Sequence, residues 1–411
     1  MMRFGCIFTF TLLTAATAQE PLDDHRHHHH QKIADDKAVA SEPLIDIAPM
    51  APLDDLTTAI REAAAAASID VEPSAAWTWQ HASEVLPGTD STRSMAFYGV
   101  AGHATLWHDD AGLGQVVFSV EGNAGIGTAS HPPLADSVAD PLALNNILTS
   151  EDLFIAQLYW QQAVSEHDVR FRIGKILDAD FFDTNAIAYD PTSGFMSLNF
   201  NQSISNPLPG YGFGANVEWD VASDVVMRIG IANSESGGNT VGFDGLSASH
   251  LFSVAELDIA AHPNINGTER RGNYRFLLWH NGIANASGTG DIDGWGGLFN
   301  FDQEVADNVS IFGRIGGGSG NVTPSTFSVS TGIAIDKPFD CQHSSMGLAV
   351  AYAKMSRLGR PVEGHRTMLE WYWRTHLTHS LYTGPVVQYV RDNDIGLGDS
   401  VIWGFRTTWS F

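Results

Sequence analysis

The sequence predicts an all-β fold, a transmembrane antiparallel β-barrel of about sixteen strands with a short N-terminal periplasmic segment that contains a helix. Three observations support this prediction: a secretion-type leader, short strands of alternating hydrophobicity from Trp77 onward, and connections that alternate between short and long. Only helices and closed barrels satisfy their backbone hydrogen bonds in lipid. After the leader, no segment has the roughly 18 uninterrupted apolar residues that a membrane helix needs.

The N-terminal region is interpreted as a leader followed by a linker. A basic residue, an apolar run and an Ala-Thr-Ala sequence indicate a secretory signal peptide, so we expect residues 1–18 to be removed. Residues 19–76 contain the histidine tract His25–His30, which is either a solvated tail or a metal-binding segment. The alanine-rich stretch Leu53–Ser68 favours an amphipathic helix. The expected domain boundaries are therefore 1–18, 19–76 and 77–411, the last being the barrel.

Charge and cysteine content limit the partners and the chemistry. The formal net charge is −25, which argues against nucleic acid because binding to phosphates needs a basic patch. Cys6 leaves with the leader, so Cys341 remains alone and no intramolecular disulfide is expected. Stability must then come from closed hydrogen bonding and from size.

Sixteen strands are predicted from alternating patterns that are bounded by Gly, Asn, Asp and Pro clusters. They are Trp77–Ser83, Ser94–Trp107, Gly114–Ala124, Asp152–Ala163, Asp168–Ile176, Tyr211–Trp219, Asp224–Asn233, Leu251–Ala260, Gly272–Asn281, Asp293–Asp302, Asn308–Gly316, Thr326–Asp336, Ser345–Lys354, Arg366–Thr378, Thr383–Arg391 and Ser400–Phe411. If the C-terminus is periplasmic, the short connections are periplasmic turns and the long ones, such as Leu177–Gly210, are external. Outer-membrane barrels segregate their loops in this way, whereas a soluble sandwich has no reason to do so.

The alternation also predicts which side chains face the interior. In the last strand, Trp403, Phe405 and Trp409 share an apolar face, and Arg406 lies on the other. An arginine on the lipid face near the mid-bilayer would cost about 2–4 kcal/mol, so these arginines are expected to face water. The predicted wall consists of Arg170, Arg172, Arg228, Arg275, Arg314, Arg374, Arg406, Glu218, Glu370, Tyr372 and Trp160. Two roles remain open for it: contact with a solute, or pairing with inward carboxylates that only maintains the barrel's shape.

The long segment Leu177–Gly210 carries a group of carboxylates and aromatic side chains, namely Asp178, Asp180, Phe181, Phe182 and Asp183. Because its aromatics are unfavourable in a free surface loop, we expect it to fold into the barrel and narrow the pore. The alternative is a loop that caps the outer mouth or packs on a neighbouring subunit.

Several stretches resemble one known family. They are QLYWQQ at Gln157–Gln162, FRIGKILDADFF at Phe171–Phe182, GYGFGANVEW at Gly210–Trp219, and the C-terminal run from LEWYWR at Leu369–Arg374 through GPVVQYV to WGFRTTWSF. The chain resembles the carbohydrate-selective porins, the OprB-type porins of Gram-negative outer membranes. The resemblance implies a sixteen-stranded porin in the outer membrane through which sugars diffuse down their gradient. It also implies that Phe411 is a recognition signal for the barrel-assembly machinery.

Other functions are less favoured by the sequence. It has no G-x-S-x-G, H-E-x-x-H or Walker A motif, so no catalytic residue, metal site or cofactor is predicted. Guanidinium groups, carboxylates and aromatic faces together suit sugars better than ions of one sign. A general diffusion pore, or one selective for another solute, is the alternative, and an outer-membrane barrel enzyme is a weaker one. The expected partners are sugars, outer-membrane lipid and the assembly machinery, and a homotrimer is left open.

Overall fold

The structure is a closed barrel of sixteen antiparallel strands within the residues that it describes. The computed structural model describes residues 51–66, 68–127, 134–138, 144–147, 153–165, 168–237, 240–285, 290–358, 364–378, 380–392 and 398–410. The predicted leader, the histidine tract and Phe411 lie outside these residues. The sequence-based prediction of an antiparallel barrel with this strand number is confirmed.

The strands follow one another around the barrel in chain order, apart from one small hairpin. They are β1 Ile69–Ala82, β2 Thr92–Asp109, β3 Gly112–Gly125, β4 Phe154–Val164, β5 Val169–Ile176, β6 Gly212–Ala222, β7 Val225–Asn233, β8 Leu251–Ala261, β9 Asn264–Ile265, β10 Thr268–Glu269, β11 Gly272–Ala284, β12 Asp291–Ala306, β13 Val309–Gly318, β14 Ser325–Asp336, β15 Ser344–Met355, β16 Gly364–His376, β17 Leu381–Asp392 and β18 Gly398–Ser410. The β9–β10 pair is separate from the barrel. Helical segments are α1 Ala51–Ala65, α2 Leu134–Ser137, α3 Leu198–Asn201 and the 3₁₀ turns Asp178–Asp180 and Pro338–Asp340.

The N-terminal boundary of the barrel differs from the prediction. Helix α1 ends at Ala65, and Ser68 takes a left-handed φ of 59° that turns the chain into β1. Strand β1 begins at Ile69, not at Trp77, so the predicted division at residue 76 falls inside a strand. Pro73 lies within this early part of β1 and pairs with Val100 of β2, while the described pairing of β1 with β18 begins at Ser74. No helix in the described part of the chain is long and apolar enough to cross a membrane.

Closure joins the first strand to the last. Trp79 pairs with Phe405 and Trp77 with Thr407 across the β1–β18 seam. In β18 the side chains alternate, with Trp403 54% exposed and Arg406 3% exposed. The aromatic face is thus the outer surface, where lipid takes the place of water, and the arginine lies inside.

The connections separate into two ends of the barrel. The β8–β11 connection is the long exception among the periplasmic turns, and the structure explains it by the β9–β10 hairpin. Asn266 and Gly267 form its tip with φ values of 53° and 86°. An Asn-Gly pair is favoured there because both positions need a positive φ. The long connections after β3, β5 and β7 all lie at the opposite end.

Candidate functional site

The inner wall carries a ladder of paired charges across β5 to β12. Glu218 accepts from Arg170 Nη1 at 2.9 Å and from Arg228 Nε at 2.8 Å. Arg228 Nη1 lies 3.0 Å from Glu256 Oε1. The charge ladder consists of Arg170, Arg172, Glu218, Arg228, Glu256, Asp258, Arg275 and Asp302.

Strand register places the members of the charge ladder beside one another. Arg170 pairs with Glu218, Glu218 with Arg228, and Arg228 with Glu256, so four adjacent strands place one row on the inner face. Directly opposite residues have Cβ atoms about 4.5–5.5 Å apart, which lets opposite charges meet. Arg275 continues the series through Asp258 Oδ2 at 3.2 Å and Asp302 Oδ2 at 2.7 Å.

Residues 177–211, named here the inner loop, lie against this wall inside the barrel. Arg314 of β13 forms the first anchor: its Nε is 2.9 Å from Asp183 Oδ1, and its Nη2 donates to the carbonyl oxygens of Asp183, Ala188 and Asn201. The backbone N–H of Asp183 donates to Glu256 Oε2 at 2.8 Å, which joins the inner loop to the charge ladder.

A second anchor comes from β16 and β18. Arg406 Nη1 donates to the carbonyl oxygens of Pro191 and Gly194, the latter at 2.8 Å. Arg374 Nη1 donates to the carbonyl oxygen of Ser193 at 3.0 Å. Glu370 accepts hydrogen bonds from two further backbone N–H groups of the loop, those of Met196 and Ser197. Backbone groups of an irregular segment therefore find partners that a buried loop would otherwise lack.

Aromatic side chains fix the inner loop between the anchors. Phe195 is fully buried and its ring centroid lies 5.1–5.5 Å from those of Phe200, Phe312 and Tyr372. Phe182 is likewise buried, in a cluster with wall residues that include Trp279. The predicted Tyr372 is thus an inward residue that packs on the loop.

The remaining side of the inner loop meets the wall around Asp180. Its carboxylate accepts from Tyr189 Oη at 2.9 Å and from Gln157 Nε2 at 2.8 Å. The neighbouring Phe181 ring lies 4.4 Å below the Arg172 guanidinium and 6.1 Å from the Tyr159 ring. Asp180 and Tyr189 are both half-buried, and they line a small cavity with residues that include Asn146, Asp190 and Gln202.

Burial changes the proton affinity of two carboxyl groups in this loop. Desolvation raises the pKa of Asp180 from 3.8 to about 8, although its hydrogen bonds with Tyr189 and Gln157 act in the opposite direction. Desolvation raises the pKa of Asp178 to about 7. One oxygen of Asp178 has no hydrogen-bond partner. At neutral pH this part of the loop therefore carries less negative charge than its sequence indicates.

A second segment inside the barrel was not predicted. Leu134, Val138, Leu144 and Ile147, from the connection between β3 and β4, are buried in the same cluster as Phe195. Leu144 O accepts from Gln388 Nε2 at 2.7 Å, and other hydrogen bonds tie this segment to β1 and to the inner loop. The sequence does contain a signal for this segment, namely large aliphatic residues in a long connection. The inner loop was predicted from the same kind of signal, large apolar side chains that are unfavourable in a free surface loop.

One predicted wall residue lies on the wrong face. Trp160 pairs with Ile173 and its ring lies 4.9 Å from Trp107 on the outer surface. Side chains alternate along a strand, and Gln161 must face inward because its Oε1 accepts from Arg172 Nε at 2.8 Å. The inward aromatic of this strand is Tyr159. The structure places the other predicted wall residues inside: Arg170, Arg172, Arg228, Arg275, Arg314, Arg374, Arg406, Glu218, Glu370 and Tyr372.

Comparison with known proteins identifies the family. The model of the carbohydrate-selective porin family, OprB, matches residues 109–411. The chain belongs to the OprB family. No curated protein matches the chain in a sequence search. No group of three or more His, Cys, Asp or Glu side chains that could hold a metal ion occurs among the described residues.

Solved structures show the same fold. The high-pH structure of Pseudomonas putida OprB has a TM-score of 0.69 at 14% identity, and the match covers 86% of this chain and 97% of that one. The low-pH structure of the same protein gives 0.53 at 12% identity, covering 90% and 100%. A mutant of the Rh. blastica porin gives 0.53 at 10% identity, covering 84% and 100%. Family and fold are those of a channel in the outer membrane of a Gram-negative bacterium.

Proposed function

We propose that this OprB-family barrel lets neutral sugars diffuse passively through the space between its inner loop and the inner wall. The balance of charge on that wall carries the proposal. Five arginines of the wall, Arg170, Arg172, Arg228, Arg275 and Arg314, form salt bridges with four wall carboxylates, Glu218, Glu256, Asp258 and Asp302, and with Asp183 of the inner loop. The wall therefore offers many hydrogen-bonding groups with little net charge.

This balance favours an uncharged, hydroxyl-rich solute. A channel that selects ions of one sign needs an excess of the other sign along its wall. Paired charges instead leave fixed donors and acceptors at the solvent side, where hydroxyl groups can bind. Arg170 and Glu218 are the accessible pair, with side chains 24% and 18% exposed, whereas Arg172 is only 5% exposed.

The inner loop supplies the other side of the passage. The rings of Phe181 and Tyr159 lie beside Arg172, whose Nε donates to the amide oxygen of Gln161, and Phe181, Tyr159 and Gln161 all keep some solvent exposure. Aromatic rings suit the apolar faces of a sugar, and amide and guanidinium groups suit its hydroxyls. The loop thus supports a narrowing with sugar-matching chemistry, in which Asp178, Phe182 and Asp183 hold its position and Asp180 and Phe181 meet the solute.

Liposome swelling tests the proposal. Vesicles that contain the purified protein should swell faster in glucose than in triethylene glycol, an uncharged solute of similar mass without the hydroxyl pattern. Arg170→Ala should reduce the glucose advantage, while Arg61→Ala on helix α1 serves as a control away from the wall. Equal swelling in both solutes would favour the alternative, a general diffusion pore.

The remaining partners stay predictions. Recognition of Phe411 by the barrel-assembly machinery would be contradicted if a chain that ends at Ser410 assembled at the normal rate. A homotrimer would be supported by a trimer mass for the protein extracted in mild detergent.

A further inference from the structure

Two buried carboxamide side chains inside the barrel are left without hydrogen-bond partners. Asn146 is 3% exposed and Gln202 is 7% exposed. Within the part of the chain that the structure describes, neither side chain makes a hydrogen bond, and Asn146 Oδ1 is fully covered in this state. Most buried polar side chains of folded proteins are hydrogen-bonded. These two amides are therefore exceptions that indicate a site for a polar group from outside the chain.

The surrounding backbone holds both amides in place. The N–H of Asn146 donates to the carbonyl oxygen of Met196 at 2.8 Å, which joins the β3–β4 connection to the inner loop. The adjacent Asn145 uses its own amide to bind Thr78 Oγ1 of the wall at 2.9 Å. Gln202 follows helix α3 directly, and its N–H donates back to that helix at 3.2 Å. Both amides are thus positioned by the fold, although no described protein group uses them.

Both amides line the same small cavity. It lies between the β3–β4 connection, which supplies Asn146, and the inner loop, which supplies residues that include Gln202, Asp180, Tyr189 and Asp190. The volume open to the centre of a water molecule is about 10 Å³, which is the space of about one water molecule or one hydroxyl group. Asp180, Tyr189 and Asp190 are half-buried, and the cavity is not enclosed.

The groups around the cavity match a hydroxyl group better than an ion. A carboxamide both donates and accepts hydrogen bonds, as a hydroxyl group does. No basic side chain is among the described residues of the lining, so an anion has no counter-charge there. The carboxylates already have partners, since Asp180 accepts from Tyr189 and Asp190 accepts from the backbone N–H and Oγ1 of Thr192 at 2.8 and 2.7 Å. A cation would have to compete with these hydrogen bonds.

We propose that this cavity, named here the carboxamide notch, takes the exocyclic hydroxymethyl group of a hexose that lies at the inner loop. This group extends one bond beyond the sugar ring and can rotate, whereas a ring hydroxyl could enter so small a space only together with the ring. Asn146 and Gln202 accept from its O–H and donate to its oxygen. The inference rests on the proposed passage of sugars and specifies which part of the sugar is recognised.

Block of the ion current by sugars tests the inference. In the full mature protein, glucose should block with a dissociation constant, measured from current noise, roughly fivefold lower than that of 6-deoxyglucose, which lacks only this hydroxyl. One net hydrogen bond contributes a factor of about this size. Asn146→Leu and Gln202→Met nearly keep the volume of each side chain and remove its amide. Each should reduce the ratio of the two constants, and the double variant should bring it close to one.

The matched control is Gln342→Met, which removes an exposed amide at the periplasmic end and should keep the ratio unchanged. An open-channel conductance equal to that of the unmodified protein would show that the double variant is folded. The comparison of the two sugars in the unmodified protein needs no variant, so it decides the matter even if the double variant does not assemble.

Three results would overturn the inference. Equal constants for glucose and 6-deoxyglucose in the unmodified protein would show that the hydroxymethyl group is not recognised. An unchanged ratio in the double variant would show that the carboxamide notch holds water only. Weaker block by both sugars to the same extent would show that the amides only position the inner loop. Failure of the proposed function is a different result, because glucose and triethylene glycol would then swell vesicles equally.

Discussion

At the scale of single residues, most inward arginines of this barrel already have protein partners. Arg314 is the clearest case, because the Asp183 carboxylate and four backbone carbonyl groups occupy its donors in a buried setting. A guanidinium in this position holds the inner loop in place, regardless of which solute passes through the pore. Of the two roles left open by the sequence, the structural one applies to Arg314, while the partly exposed Arg170 retains both.

Removing the charge of Arg314 should destabilise the protein strongly. Arg314→Met would leave the Asp183 carboxylate buried without its ion pair, a change that typically costs about 3–5 kcal/mol. Urea unfolding of the barrel in lipid vesicles would measure the loss. The control is Arg270→Gln, since the Arg270–Asp307 pair is at the surface and such pairs contribute about 0–1 kcal/mol. Similar losses for the two variants would contradict the prediction.

Ionisation of Asp180 should make the pore depend on pH. Burial raises the pKa of this carboxyl to about 8, so it is neutral at pH 6 and charged at pH 9. Selectivity for cations over anions, measured as the reversal potential in a salt gradient, should therefore increase over this interval. The increase should be smaller in Asp180→Asn. An equally large increase in cation selectivity in Asp180→Asn would show that another group causes it.

The same carboxyl group affects stability with a definite sign. Its pKa is higher in the folded protein than its ordinary value of 3.8, so the folded state holds the proton more tightly than the unfolded state. Its contribution therefore favours folding least at high pH, and stability decreases as the pH rises from about 4 through about 8. Asp180→Asn should flatten this part of the stability profile.

At the scale of elements, the inner loop is held mainly by backbone carbonyl groups that meet arginines from separate strands. Arg406 and Arg374 bind one part of it and Arg314 another, with the Phe195 cluster between them. The strands that carry these anchors are themselves fixed by closure of the barrel. The position of the inner loop should therefore depend on each anchor.

Weakening one anchor should widen the pore. Arg406→Met removes the donor to the carbonyl oxygens of Pro191 and Gly194 and frees this part of the inner loop to move. Single-channel conductance and the size limit for oligosaccharides should both increase, while the barrel stays folded. Lys337→Met, on an exposed periplasmic turn, should change neither. Unchanged conductance in Arg406→Met would mean that the Phe195 cluster alone holds the loop.

At the scale of the whole molecule, charge is distributed unequally between surfaces. The chain has a net charge of −25, yet five arginines of the inner wall are paired with four wall carboxylates and with Asp183 of the inner loop. The acidic excess therefore lies elsewhere and does not define the passage. Net charge describes solubility and long-range attraction, whereas selectivity depends on the local wall.

Unbalancing the wall should change its ion preference. Glu218→Gln removes the carboxylate shared by Arg170, Arg172 and Arg228, so the wall gains positive charge. The reversal potential in a potassium chloride gradient should shift toward anion selectivity. Asp110→Asn, an exposed periplasmic position, removes the same charge away from the wall and serves as control. Equal shifts of the reversal potential in both variants would show that a charge on the wall affects ion selectivity no more than a charge away from it.

The sequence by itself determined the architecture and the faces of this barrel. Alternation has a period of two, so each arginine surrounded by apolar neighbours had to face inward, and short and long connections separated the two ends. Trp160 shows where this reasoning failed: QLYWQQ contains polar and aromatic residues on both faces, so hydrophobicity alone could not assign it. The prediction also placed the start of β1 too late, at Trp77 instead of Ile69.

Only the tertiary structure decided what the inward side chains do. Arg170, Glu218, Arg228 and Glu256 are far apart in sequence and become one row through the register of four strands. Apart from Asp183, the hydrogen-bond partners of Arg314 and Arg406 are backbone carbonyl groups, which every residue has and no sequence pattern marks. Because side chains alternate along a strand, the local sequence determines which face of the sheet each side chain occupies. Pairing between distant side chains depends on which strands barrel closure brings together.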